Sequence, residues 1–137
     1  MKILVATDGS DASMKAVKRA IELAQSEKAD VTLMSVAYYS KDDFDEMWPS
    51  VQDKLEAEGV AALRKAKAAF DEKGIKVETV LEAGVNPANN IIKRAADGKF
   101  DLILMGSTGK TGIERAFMGS VAGKVVANAP CSVSIRR

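Results

Sequence analysis

Between Met105 and Val121 the chain reads MGSTGKTGIERAFMGSV, four glycines interleaved with several hydroxyls and two cations, Lys110 and Arg115. Glycine tolerates positive φ and close backbone approach, so consecutive N–H groups in such a stretch can converge on an anion. Gly119-Ser120 opens the next helical stretch and adds unpaired N–H groups at the positive end of a helix dipole. That combination suits a polyphosphate. A second candidate is Asp8, which ends the apolar run at the start of the chain. Other chemistry is excluded by composition. The chain has no histidine, so no Ser-His or Cys-His nucleophile pair and no His-ligated metal site can form. Its single cysteine, Cys131, permits neither an internal disulfide nor a CxxC pair.

Two familiar phosphate motifs do not fit. Gly109-Lys110-Thr111 invites a P-loop reading, but that motif needs a glycine five residues before Gly109, where Leu104 stands. The dinucleotide fingerprint GxGxxG is also absent.

The elements that must position these residues alternate along the chain. Ile3–Ala6 is a continuous apolar run, the pattern of a strand covered on both faces. Ser10 or Asp11 can cap a helix with the stripe Ala12, Ala16, Val17, Ala20, Ile21 and Ala24. A second strand covers Val31–Ala37, and the polar, acidic stretch 39–50 reads as a loop or lid. The pattern then predicts a long helix over Pro49–Lys73, with Val51, Leu55, Ala62, Ala66 and Phe70 on one side and Gly74 as its αL stop. Ile75–Leu81 alternates as a strand. Asn86 caps a helix with Pro87 at its first position and Ile91, Ile92, Ala95 and Ala96 as its apolar face, ended by Gly98. Phe100–Met105 is a further buried strand. Beyond the glycine-rich stretch come a helix with Val121, Val125 and Val126, ended by Pro130, and a last strand over Cys131–Ile135.

Strands alternating with helices predict a doubly wound parallel α/β sheet, with helices on both faces, in one domain spanning residues 1–137. Such sheets bind ligands beyond the carboxyl ends of their strands, where the strand order reverses. Thr7-Asp8 and Met105-Gly106 are the strand ends to examine.

The spacing Gly106-x2-Gly109-x9-Gly119-Ser120 resembles the nucleotide-binding signature of the universal stress protein family. The likeness extends over the whole chain, from the opening strand with Thr7-Asp8-Gly9-Ser10 to Ala129-Pro130-Cys131 before the final strand. It implies a five-stranded parallel sheet ordered 3-2-1-4-5, a homodimer joined through the last strand, and ATP with Mg²⁺ as the ligand. Carried onto this chain, Gly109, Gly119 and Ser120 hold the phosphates and Gly106 lies near the ribose. Asp8 lies at the ribose and at the Mg²⁺ between phosphates. Ala6, Thr7, Val36 and Met105 border the adenine, and Val121 adds a backbone N–H. The last strand, Cys131-Ser132-Val133-Ser134-Ile135-Arg136-Arg137, is more polar than the family's usual apolar run.

Plainer readings stand beside these. Asp8 is equally suited to a turn or cap, Lys110 and Arg115 to solvated loop charges, and Ser107, Thr108 and Thr111 to turns. Cys131 suits a small buried hydrophobe, and Met34, Met105 and Met118 suit a core or a cavity wall. A net charge of +1 gives no footprint for nucleic acid, where a domain pI above about 9 is the sign. No stretch nears the roughly 20 apolar residues that span a bilayer. The chain therefore reads as a cytoplasmic, nucleotide-dependent stress regulator with an unidentified protein client and no catalytic residue. The alternatives are a slow ATPase or self-phosphorylating protein, an AMP-selective sensor, and an interaction module without nucleotide.

Overall fold

The computed structural model describes residues 1–38, 49–107 and 119–137. Gly109, with most of the stretch read as a lid, lies outside the described residues. The elements are β1 (Lys2–Ala6), α1 (Asp11–Glu27), β2 (Asp30–Tyr38), α2 (Pro49–Glu72), β3 (Glu78–Gly84), α3 (Pro87–Asp97), β4 (Leu102–Gly106), α4 (Ser120–Asn128) and β5 (Ser132–Arg136). The strands form one sheet in the order β3-β2-β1-β4-β5, all pairs parallel. This is the five-stranded doubly wound α/β architecture expected from the sequence and from the family likeness.

Each face of the sheet carries two helices, and each closes a separate core. Ile3, Val5, Val31, Leu33 and Leu104 pack under α1 and α2 with Val17, Leu63 and Phe70. Leu4, Met34, Ile103 and Met105 point the other way and pack with Ile91, Ala95 and Val125 of α3 and α4. Successive strand residues serve opposite cores, so the central strands must be apolar throughout. That is why they stand out as unbroken runs.

Edges are less legible. β3 spans Glu78–Gly84 rather than Ile75–Leu81, because Ile75 is held by its N–H on the Phe70 carbonyl at 3.1 Å, as part of the turn ending α2. Ile75 and Val77 pack against the α1–α2 core before pairing begins. Phe100 precedes β4, which starts at Leu102, and its ring instead faces the Lys2 ammonium at 4.8 Å. Cys131 likewise precedes β5 and is half-buried, which pushes its thiol pKa upward. On α1 the buried face includes Ser13 and Leu23, where the sequence pattern favours Ala12 and Ala24. Val51 and Val126 stand exposed, Val51 at the start of α2 and Val126 on the outer side of α4. Asn86 caps α3 by position without a side-chain bond, with Pro87 at the first turn as expected.

Phe70 is fully buried in the α1–α2 core. Phe70→Ala should lower the unfolding free energy by about 3–5 kcal/mol in urea denaturation. A loss below about 1 kcal/mol would show that α2 does not anchor this core.

Candidate functional site

β1 and β4 are neighbours in the middle of the sheet, paired at Ala6↔Met105. After β1 the chain turns toward the α1–α2 face, whereas β4 leads to α4 on the opposite face. A crevice is left between the departing chains, as the sheet geometry requires.

On the β1 side the turn is built from short polar side chains. Gly9 adopts φ +81°, and its N–H donates to Thr7 Oγ1 at 3.2 Å. The Ser10 N–H donates to Asp8 Oδ1 at 2.9 Å, and Ser10 Oγ accepts from the Ser13 N–H at 3.2 Å, capping α1. The Ser13 hydroxyl donates to the Ser10 carbonyl at 2.9 Å and lies 2.9 Å from Thr7 Oγ1. A hydroxyl has one proton. Ser13 has given its own to Ser10, so Thr7 donates to Ser13. Both side chains are almost wholly buried, at 5% and 3% exposure, and their remaining capacity toward the crevice is acceptor only. With the Asp8 carboxylate, this end of the site is a cluster of acceptors.

The β4 side is the reverse. Gly106 lies beneath the first turn of α1, where a Cβ would stand 2.7 Å from Ala12 C and Ser13 N. A side chain there is excluded by packing alone. Ser107 is held on both sides: its N–H donates to the Arg136 carbonyl at 2.7 Å, and its carbonyl accepts from the Gly119 N–H at 2.6 Å. Gly119 is the extended N-cap of α4 and supplies no capping side chain. Its own amide is engaged, so the uncapped donors start at Ser120 and continue through Val121 and Ala122, with the helix dipole behind them. α1 carries a serine cap and α4 carries none. Among the described residues, the donor end of the crevice is therefore α4.

Between these ends lies a cavity of about 600 Å³. Of the residues singled out in the sequence, Ala6, Thr7, Asp8, Val36, Met105, Gly106, Gly119, Ser120 and Val121 all line it. Gly109 is outside the described residues. Met34, Pro87 and Ile91 complete the apolar wall, and Ser13, Ser35, Ser107 and Ala122 also line it. Met34 fits its reading as a core or cavity-wall residue, whereas sequence reasoning missed Ser13, Pro87 and Ile91 for identifiable reasons. Ser13 sits three residues after a capping serine, a spacing that could have marked it. Pro87 and Ile91 share a helix face by their i, i+4 spacing, but only tertiary packing brings α3 over the crevice.

Among the described residues no three His, Cys, Asp or Glu side chains group as a metal site. Asp8 presents one carboxylate, with Oδ1 already accepting from Ser10. A divalent cation held there needs further oxygens from its ligand, as Mg²⁺ bound with phosphates obtains them. Among the same residues no helix is long and apolar enough to cross a membrane.

Sheet order and crevice place the protein among the doubly wound α/β proteins that hold ligands where strand order reverses. The sequence model of the universal stress protein family matches residues 1–137, and the chain belongs to that family. It is 42% identical to universal stress protein MJ0531 of Methanocaldococcus jannaschii, over 98% of this chain and 80% of that protein. It is 33% identical to universal stress protein YxiE of Bacillus subtilis, over 99% of this chain and 98% of that one. The solved structure of the MJ0577 protein superposes with a TM-score of 0.85 at 28% identity, covering 98% of this chain and 94% of that chain. A universal stress protein solved in complex with cAMP superposes with a TM-score of 0.74 at 26% identity, covering 100% and 97%.

Gly106→Val should destabilise the fold by about 1–3 kcal/mol in urea denaturation, with no ligand present, because its side chain meets the α1 backbone. Unchanged stability would remove the packing role assigned to this glycine.

Proposed function

We propose that the protein binds an adenine nucleotide in the crevice, with ATP and Mg²⁺ as its ligand, and acts as a nucleotide-dependent stress regulator in the cytoplasm. The observation carrying this reading is the polarity of the cavity. Acceptors at Asp8, Thr7 and Ser13 suit the hydroxyls of a ribose or the amino group of a base. The walls from Met34, Val36, Ile91 and Met105 suit a flat apolar ring. The uncapped first turn of α4 suits an anion. A nucleotide carries these three chemistries in one molecule, and the cAMP complex of a relative supports the adenine class.

In this reading Ser120 and Val121 give backbone N–H groups to the phosphates, and Gly109 and Gly119 allow the chain to pass close to them. Gly106 borders the ribose, and Ala6, Thr7, Val36 and Met105 border the adenine. Asp8 reaches the ribose and a Mg²⁺ shared with the phosphates. When bound there, Mg²⁺ would supply charge neutralisation to the phosphates. Regulation then requires that a client bind one occupancy state better than the other. The edge strand β5 is the surface through which two copies pair, an expectation that sedimentation velocity showing only monomer would remove.

Calorimetric titration of nucleotide-free protein should show micromolar ATP binding that strengthens with Mg²⁺ and weakens for AMP. The informative variant is Ser120→Pro. Proline is tolerated at the first helical position, and Gly119 before it is already extended, at φ −62° and ψ 163°. The variant therefore deletes one donor while leaving α4 intact. It should weaken ATP about tenfold or more, the effect of one hydrogen bond to a charged group, with the melting temperature held. Ser120→Ala separates the hydroxyl from the amide and should cost less. Wild-type ATP affinity in Ser120→Pro would overturn the phosphate position, and no heat with any adenine nucleotide would overturn the ligand class.

A further inference from the structure

A second cavity, of about 380 Å³, adjoins the first across a shared wall of Pro87, Ser120 and Val121. Its outer ledge is made by Tyr38 and Val85, which stand 63% and 55% exposed. They are brought together by the sheet: Tyr38 ends β2 and pairs with Gly84, and Val85 comes directly after it. Large apolar side chains left in water at one small concavity mark a place where something flat and apolar can lie. Lys124 lines the same cavity from one turn into α4, on the face that carries Ser120. Two helices open at this cavity. Asn86 of α3 and Gly119 of α4 cap by backbone position alone, and neither first turn contains an acidic residue. The compartment thus combines an aromatic ledge, a cation and two positive helix ends.

The shared wall is the turn of α4 proposed to hold the phosphates, and a ligand in the second compartment depends on that reading. A group joined to the far end of such a phosphate chain comes over Ser120 and Val121 into the second compartment. Its chemistry is set by what waits there: a planar ring to stack on Tyr38, with its linking phosphates near Lys124. We propose that the ligand class extends to dinucleoside polyphosphates, with one adenosine in the main cavity and the second nucleoside on the Tyr38–Val85 ledge. Tyr38 and Lys124 do not line the main cavity, so the ledge sets preference among long nucleotides without contributing to ATP binding.

The test compares ATP, adenosine tetraphosphate and diadenosine tetraphosphate by calorimetry on the full chain, as wild type, Tyr38→Ala and Tyr38→Phe. The two tetraphosphates have the same number of phosphates, so their difference reads the second nucleoside. Diadenosine tetraphosphate should bind about tenfold tighter than adenosine tetraphosphate, within the range of one base stacked on an aromatic side chain. The gap should persist in Tyr38→Phe and close in Tyr38→Ala, with ATP affinity equal in all three proteins. Equal affinity of the two tetraphosphates in the wild type overturns the proposal, as does a gap that survives Tyr38→Ala. Absence of binding by all three ligands, ATP included, instead overturns the nucleotide reading of the main cavity, and this proposal with it.

Discussion

The structure depends on the parallel pairing of β1 with β4 at the centre of the sheet. Each of these strands is buried on both faces, so each must feed a helix that covers one of them. β1 feeds α1 on one face and β4 leads to α4 on the other. The gap between the two departing chains is the cavity. The site is therefore a consequence of how the sheet is covered, not a feature added to a finished scaffold. Close packing at this junction is strict: α1 approaches β4 so closely that position 106 admits no side chain.

Within the crevice, chemical direction comes from a difference between two helix starts. α1 has Ser10 as its cap, whose oxygen satisfies Ser13 and whose carbonyl orients the Ser13 and Thr7 hydroxyls. The proton count leaves that corner with lone pairs only. α4 begins at a glycine, which caps by backbone alone and leaves amides facing outward. One end accepts and the other donates, although no lysine or arginine among the described residues lines the cavity. Among the described residues, backbone groups, hydroxyls and the Asp8 carboxylate thus give the site its polarity.

The glycines illustrate how a motif and its physical role can differ. By sequence, Gly106 and Gly119 both suit places where the backbone approaches a ligand. In the fold Gly106 also admits the first turn of α1, and the Gly119 amide already bonds to the Ser107 carbonyl. Among the described residues, the amides that remain available belong to Ser120 and its two successors. Among the described residues, the glycine that opens α4 therefore marks where the donors begin rather than supplying one.

What the sequence determined by itself was the set of elements and the two strand ends that border the cavity. Central strands buried on both faces are apolar without interruption, and glycine, proline and serine at the helix boundaries act through local backbone chemistry that spacing reveals. Hence the alternation, the sheet class, and Thr7-Asp8 and Met105-Gly106 were legible. The start of β3 was not, because the same alternation continues through Ile75 and Val77, and only pairing with β2 decides where the ladder begins. Nor were Pro87 and Ile91, whose place at the cavity depends on how α3 crosses the sheet. The direction of the Thr7–Ser13 hydrogen bond and the Tyr38–Val85 ledge belong to the same group. They arise where segments distant in sequence meet, and local sequence pattern carries no information about that meeting.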